Sequence, residues 1–368
     1  MKTIWVHLLW VASWAAAAPP LLSAETFDHI GVVVNDTVST AELWAGLFGI
    51  EAPTIFDNAG PEGNITFHGV PTDANIVGAY IGCNPLAGIE LLQPGNDTSF
   101  QSFWLDHLRL FGSSPGYVGF ATDEWTETDL SKTAADFSSS GCPTDQQGYW
   151  WQDAEAGQRG CYRYMNCRST PFGSTIEIMT RTNCVERTDL SAKPARQILQ
   201  RIRDGEDVPA RAAAILNCSA MLRLSLVVPN VTETTSHFEA MFSREEPSVQ
   251  STQDIFRGIM YKGEATNATA LWTEFPLRNG QGSLDFALRI IQPEEKNQRS
   301  WWRDGLRRYG PSVNLLTFGV PDVDSVLSEL AEYGFTALQK GDCTEGGSFA
   351  YIDSLDKLGL VVEVTNCS

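Results

Sequence analysis

The sequence predicts an α+β chain of tandem βαβββ units, two in each half. Three observations carry that prediction. In residues 27–50, FDHIGVVVNDTVSTAELWAGLFGI, the run His29–Val34 is β-branched and too short for a buried helix, so it reads as a strand. Ala41, Leu43, Trp44, Leu47 and Phe48 then recur at helical spacing, and Gly49 is a stop signal. Second, a strand ending in Gln-Pro occurs at Gln93-Pro94 and again at Gln292-Pro293. Third, aromatic-Trp-x-Asp-x-Leu-Arg-x-aromatic-Gly stands at both 103–112 and 301–310. Self-similarity over roughly two hundred residues marks an internal duplication.

Taken in order, the first unit holds the His29 strand, its helix, strands near 65–69 and 76–82, and a strand at 88–92. A helical linker, 103–112, leads to the second unit. That unit has a strand from Tyr117, a helix at 127–137, hairpin strands near 148–152 and 161–166, and a closing strand at 174–179. Residues 185–218 carry Arg and Ala at helical spacing around Gly205 and Pro209, which predicts a partly helical linker between domains at 25–184 and 219–368. From 219 the pattern restarts. Residues 221–228 match the His29 strand, 234–242 its helix, and 288–293 the Glu90 strand; a strand at 315–320, a helix at 325–333 and a strand at 359–364 follow. The repeated Trp-x-Asp-x-Leu-Arg segment reads as packing of a common linker.

The chain has 368 residues, 43% hydrophobic and 19% charged, enough for two domains with cores. A net charge of −19 excludes nucleic acid and anionic membrane as partners, since both select basic surfaces. Lys2, the apolar body 4–18 and Leu22-Ser23-Ala24 read as a secretory signal over 1–24, which implies a secreted or lumenal chain. Eight cysteines in an oxidising compartment suggest up to four disulfides, with connectivity open. Sequons at Asn35, Asn64, Asn96, Asn217, Asn230, Asn267 and Asn366 predict a glycoprotein. His68 reads as strand filler and His107 as linker surface.

A strand with an inward histidine, a helix ending in Leu-Phe-Gly and the Glu-bearing closing strands together resemble the vicinal-oxygen-chelate superfamily, the glyoxalase and bleomycin-resistance proteins. The resemblance implies two glyoxalase-like half-barrel domains, with metal ligands on the first and last strand of each unit. The matching positions in the first half are His29, Glu90, Tyr117 and Glu177. Imidazole and carboxylate suit a divalent ion. Tyr117 departs from the usual histidine and counts against ring-cleaving dioxygenases of this fold, which need two histidines and one glutamate. In the second half the same positions hold Arg223, Arg289, Leu315 and Glu363. Guanidinium cannot coordinate a cation, so those residues read either as an ion network or as a pocket for an anionic substrate oxygen.

Three function classes stay open: a metal-free cyclase, a metal-dependent lyase, isomerase or dioxygenase with one divalent ion in the first domain, and a non-catalytic binding protein. Signal, sequons, length and lost ligands resemble the fungal hetero-Diels–Alderases of tropolonic sesquiterpene biosynthesis. That resemblance implies no cofactor and a small hydrophobic polyketide or terpene substrate, with a homodimer left open. Catalysis would be acid–base dehydration by His29, Glu90, Tyr117 and Glu177, followed by cycloaddition in an enclosed apolar pocket. Trp150-Trp151 either caps such a pocket or covers the core.

Overall fold

A computed structural model describes residues 22, 27–51, 53–58, 64–84, 87–96, 99–122, 124–153, 158–181, 184, 197–198, 214–242, 247–277, 286–294 and 298–367. The first unit opens with β1 (Phe27–Val33) and α1 (Thr37–Phe48). Asp36 caps the helix by accepting from the Ser39 N–H at 3.0 Å, and Gly49 closes it at φ 61°, a left-handed geometry that glycine adopts without penalty. Then come β2 (Ile55–Asn58), the small hairpin β3 (Thr66–Phe67) and β4 (Val70–Pro71), β5 (Ile76–Asn84) and β6 (Ala87–Pro94). Helix α2 (Phe103–Phe111) leads to the second unit, β7 (Ser114–Ala121), α3 (Glu127–Ser139), β8 (Thr144–Asp153), β9 (Gln158–Asn166) and β10 (Thr175–Thr180). Strand β11 (Gln197–Ile198) pairs with β2; most of the expected 185–218 linker lies outside the described residues.

The second domain repeats this as β12 (Met221–Val227), α4 (Val231–Phe242), β13 (Gln250–Ser251), β14 (Phe256–Tyr261), β15 (Glu264–Ala265), β16 (Ala270–Leu277), β17 (Phe286–Pro293) and α5 (Trp301–Tyr309). It ends with β18 (Ser312–Gly319), α6 (Val323–Glu332), β19 (Ala337–Cys343), β20 (Ser348–Ile352), α7 (Leu355–Leu358) and β21 (Val361–Thr365). The first sheet runs β11-β2-β5-β6-β1-β7-β10-β9-β8-β3-β4 and the second β13-β16-β17-β12-β18-β21-β20-β19-β14-β15. Strand for strand the orders coincide; only β11 is extra. In each sheet the first strands of the two units pair antiparallel at the centre, and each pairs in parallel with the last strand of its own unit. Four end strands therefore lie side by side in each curled sheet.

The repeated motifs pin this frame. Gln93 Oε1 accepts from the Thr37 N–H at 3.0 Å, and Gln292 Oε1 from the Val231 N–H at 2.8 Å, so each Gln-Pro strand end fixes the start of its unit's helix. Trp104 donates to the Tyr164 hydroxyl at 3.2 Å and Trp302 to the Tyr351 hydroxyl at 2.9 Å, both pairs buried. One continuous apolar core joins the two domains through α1, α3, α4 and α6. Across it Phe27 stacks on Phe286 at 4.9 Å, and the Trp44 indole donates to the Leu358 carbonyl.

Disulfides join Cys142 to Cys167, Cys161 to Cys184 and Cys343 to Cys367, as suits a chain that folds under oxidising conditions. Cys218 is also disulfide-bonded. Among the described residues no helix is long and apolar enough to cross a membrane. The expected signal lies outside them except for Leu22, which is buried and donates its N–H to the Met241 carbonyl. The sequon asparagines are exposed apart from half-buried Asn64.

Candidate functional site

Side chains alternate along a strand, so the register across β6, β1, β7 and β10 decides which ones share the concave face. Gly31 lies between Glu90 and Tyr117, and Gly119 lies between His29 and Glu177. Those glycines make the convergence possible. A Cβ on Gly31 would stand 2.0 Å from the Tyr117 ring, and one on Gly119 2.4 Å from the His29 ring. Without them His29 and Tyr117 cannot lie down across the neighbouring strand.

The four expected residues of the first half thus meet at one point. His29 Nε2 is 3.0 Å from Glu177 Oε2 and 3.1 Å from Glu90 Oε2. Tyr117 donates a short hydrogen bond to Glu90, and its ring stands edge-on to His29 at 5.6 Å. His29, Tyr117 and Glu177 are buried, while Glu90 is 21% exposed and forms the open side. Behind the ring, Asp28 accepts from His29 Nδ1 at 2.8 Å, and Arg181 grips Asp28. Tyr80, opposite Glu90 on β5, brings a partly exposed ring to 6.1 Å from His29. Tyr162 and Tyr164 line the same cup, and Trp150 packs on Tyr162.

Burial raises the Glu177 carboxyl; His29 pulls it back and Glu90 pushes it further, leaving it at about 7. Burial also opposes charge on His29, but Glu90 and Glu177 outweigh it and hold the imidazole well above its ordinary range. Loss of solvent opposes charge on Glu90 as well, yet His29 outweighs that cost and holds its carboxyl below the usual value. Burial, then the Glu90 charge, pushes the Tyr117 phenol well up, so it stays a donor.

The second domain occupies the same positions with different chemistry. Arg223 and Arg289 both reach Glu274 Oε1, at 2.9 and 2.7 Å, and Arg289 lies 3.7 Å from Glu363. Thr317 donates to Glu363 at 2.6 Å, and Leu315 fills the Tyr117 position. Two guanidiniums face two carboxylates, and the charges balance. In the first cup Glu90 and Glu177 face a single imidazole, since Arg181 is taken by Asp28.

That deficit and the donor geometry bear on whether the cup fits a divalent ion. His29 Nε2 and Glu177 Oε2 are buried and stand within ion-pair distance of each other, but make no aligned hydrogen bond. The His29, Glu90 and Glu177 donor atoms all lie within 4.8 Å of one another. Ligands about 2.1 Å from a shared ion in neighbouring positions stand about 3 Å apart, close to the two His29 distances above. With Nδ1 donating to Asp28, loss of the second ring proton leaves the electron pair of His29 on Nε2, facing the carboxylates. The residues fit the ion.

Sequence reasoning missed Asp28, Arg181, Tyr80 and Glu274. Asp28 adjoins His29 and on a regular strand points away from it; Tyr80 and Glu274 are visible only once β5 and β16 are in register. His107 corrects the surface expectation. It is buried, accepts from Arg168 at 2.8 Å and bonds Ser114 at 2.8 Å. His68 is not strand filler either: it sits exposed at φ 49° in the turn joining β3 and β4.

No family model matches the chain, and no curated protein does. Solved structures do match. A triple mutant of 4-hydroxymandelate synthase from Streptomyces coelicolor aligns with TM-score 0.51 and 14% identity over 95% of this chain and 93% of that one. A methylmalonyl-CoA epimerase from Streptomyces coelicolor aligns over 40% of this chain and 95% of its own, at TM-score 0.29 and 15% identity. A xylose isomerase-like TIM barrel/4-hydroxyphenylpyruvate dioxygenase fusion protein aligns over 94% of this chain and 49% of its own, at TM-score 0.38 and 12% identity. Duplicated βαβββ units, paired end strands and whole-length likeness to 4-hydroxymandelate synthase together show that this chain has the tandem vicinal-oxygen-chelate fold.

Proposed function

We propose that the chain is a divalent-metal-dependent enzyme, a lyase or isomerase acting on a small oxygen-bearing substrate in the first-domain cup. The observation that carries this reading is the pair His29 Nε2 and Glu177 Oε2, buried and 3.0 Å apart without an aligned hydrogen bond, with Glu90 beside them. His29, Glu90 and Glu177 would hold the ion. When bound, it would polarise a substrate oxygen and stabilise negative charge developing there. Tyr117 orients Glu90 through its hydroxyl. In the ion-free cup the Glu177 carboxyl, at about 7, holds a proton that it must release before it can ligate. Tyr80 borders the open side, where a planar substrate would rest on its ring. A single imidazole in the donor set disfavours ring cleavage by the two-histidine arrangement. The second domain, with its charges internally paired, serves as scaffold.

One observation favours a second, metal-free reading. Tyr117 stands where a second imidazole is expected and ties up Glu90, in a cup with tyrosines on several sides. Acid–base dehydration of a hydroxymethyl tropolone or phenol, followed by enclosed cycloaddition to a terpene alkene, uses the same four side chains without an ion. Metal analysis of the purified glycoprotein, before and after chelation, separates the two. The metal reading expects one equivalent of a divalent ion, lost together with turnover. Metal-poor protein whose turnover survives chelation overturns it in favour of the cyclase.

A further inference from the structure

We infer that Asp28, held from behind by Arg181, is the positioning residue that keeps the His29 ring in the tautomer with Nε2 free to ligate; this rests on the metal reading above. The ladder between β1 and β7 shifts register between Phe27 and His29. The shift leaves Asp28 out of the pairing and breaks strand alternation, so two consecutive side chains turn toward each other. Such bulges are a common means of re-aiming a side chain beside a site. Asp28 Oδ2 then lies 2.8 Å from His29 Nδ1. A carboxylate is acceptor-only, so Nδ1 must carry the proton and the electron pair stays on Nε2. Arg181, directly after β10, pairs with Asp28 Oδ1. It fixes the orientation of the carboxylate and offsets its charge, so that Asp28 orients the ring and leaves the ligand role to Glu90 and Glu177.

The second domain supplies an internal control. Its β12–β18 ladder shifts register between Met221 and Arg223, the same place. There the unpaired residue is Leu222, which packs near Gly319, and the next is Arg223 in place of the histidine. The bulge therefore forms without a carboxylate. Where the histidine is lost, so are Asp28 and Arg181, whose positions hold Leu222 and Cys367. Asp28 accompanies the ligand, and the backbone does not need it.

The test uses the full chain with 15N-labelled histidine, five residues, with His29→Ala assigning the signal. At alkaline pH, where the ring is neutral, wild type should show His29 protonated at Nδ1. Asp28→Asn, which keeps an acceptor oxygen, should retain that state. Asp28→Leu, a side chain the equivalent bulge tolerates, should move the proton to Nε2. Titration with Zn²⁺ against a competing chelator should then show Asp28→Leu weakened by about 10- to 100-fold, and Asp28→Asn by less. An unchanged tautomer in Asp28→Leu overturns the inference, and so does wild-type Zn²⁺ affinity in that variant. Wild-type protein that takes up no Zn²⁺ instead overturns the metal reading, and the tautomer measurement still decides the role of Asp28.

Discussion

Glu177→Gln in metal-free protein should abolish a pH dependence of stability that the buried carboxyl imposes. Glu177 is raised from an ordinary 4.5 to about 7. Between those values the folded state holds a proton that the unfolded chain has released, so folding is favoured at the acid end. The contribution is fully present below about pH 4.5 and is lost as pH rises to about 7. A difference of about 2.5 units at about 1.36 kcal/mol each amounts to about 3 kcal/mol. Glutamine is neutral throughout and keeps the shape. The His29 contribution, from a raised imidazole, is lost only above about pH 6.5, so it overlaps little with this window. Glu90, being lowered, acts in the opposite sense, losing its contribution in acid below about pH 4.5. Denaturant unfolding of chelator-treated protein at steps from pH 4.5 to 7.5 measures the effect. Wild type should lose about 3 kcal/mol more than the variant across that range. Parallel curves would refute the assignment of a high-pKa carboxyl to Glu177.

Gly119→Ala would place a methyl 2.4 Å from the His29 ring, so metal uptake should be lost while near-native secondary structure persists by circular dichroism. Arg289→Ala leaves buried Glu363 without its guanidinium and should cost about 3 kcal/mol in denaturant unfolding, with metal content unchanged. Because His29 and Glu177 must give up protons to bind an ion, Zn²⁺ affinity should fall as pH drops below about 7, with proton release measurable in weakly buffered solution. The sequons and the expected signal predict an exported glycoprotein; endoglycosidase should increase its gel mobility, and no shift with retention in the cytosol would contradict that expectation.

The frame was legible because its signals are local or repeated. His29–Val34 announces a strand by β-branching, and the duplicated Gln-Pro and Trp-x-Asp-x-Leu-Arg segments announce a duplication. Their physical roles, an amide on a helix start and an indole on a buried tyrosine, needed coordinates. The four positions of the first cup followed from the resemblance, and the structure brings them together. What the sequence could not expose depends on register. Asp28 faces His29 only because the ladder slips at that point, and Tyr80 and Glu274 join their cups only through antiparallel pairing with Glu90 and Arg289. His107 was misread because a polar residue in an amphipathic helix looks solvent-facing, and its neighbours Ser114 and Arg168 are set by packing with the next strands.

The proposed metal centre is tested most directly by crystals of the purified chain measured on both sides of the absorption edge of the ion found by elemental analysis. An anomalous peak bounded by His29 Nε2, Glu90 and Glu177, absent from His29→Ala crystals and from the Arg223–Arg289 cup, is the predicted result. Clear density for direct hydrogen bonds between His29 and both carboxylates, with no anomalous peak in protein grown with excess ion, would contradict it.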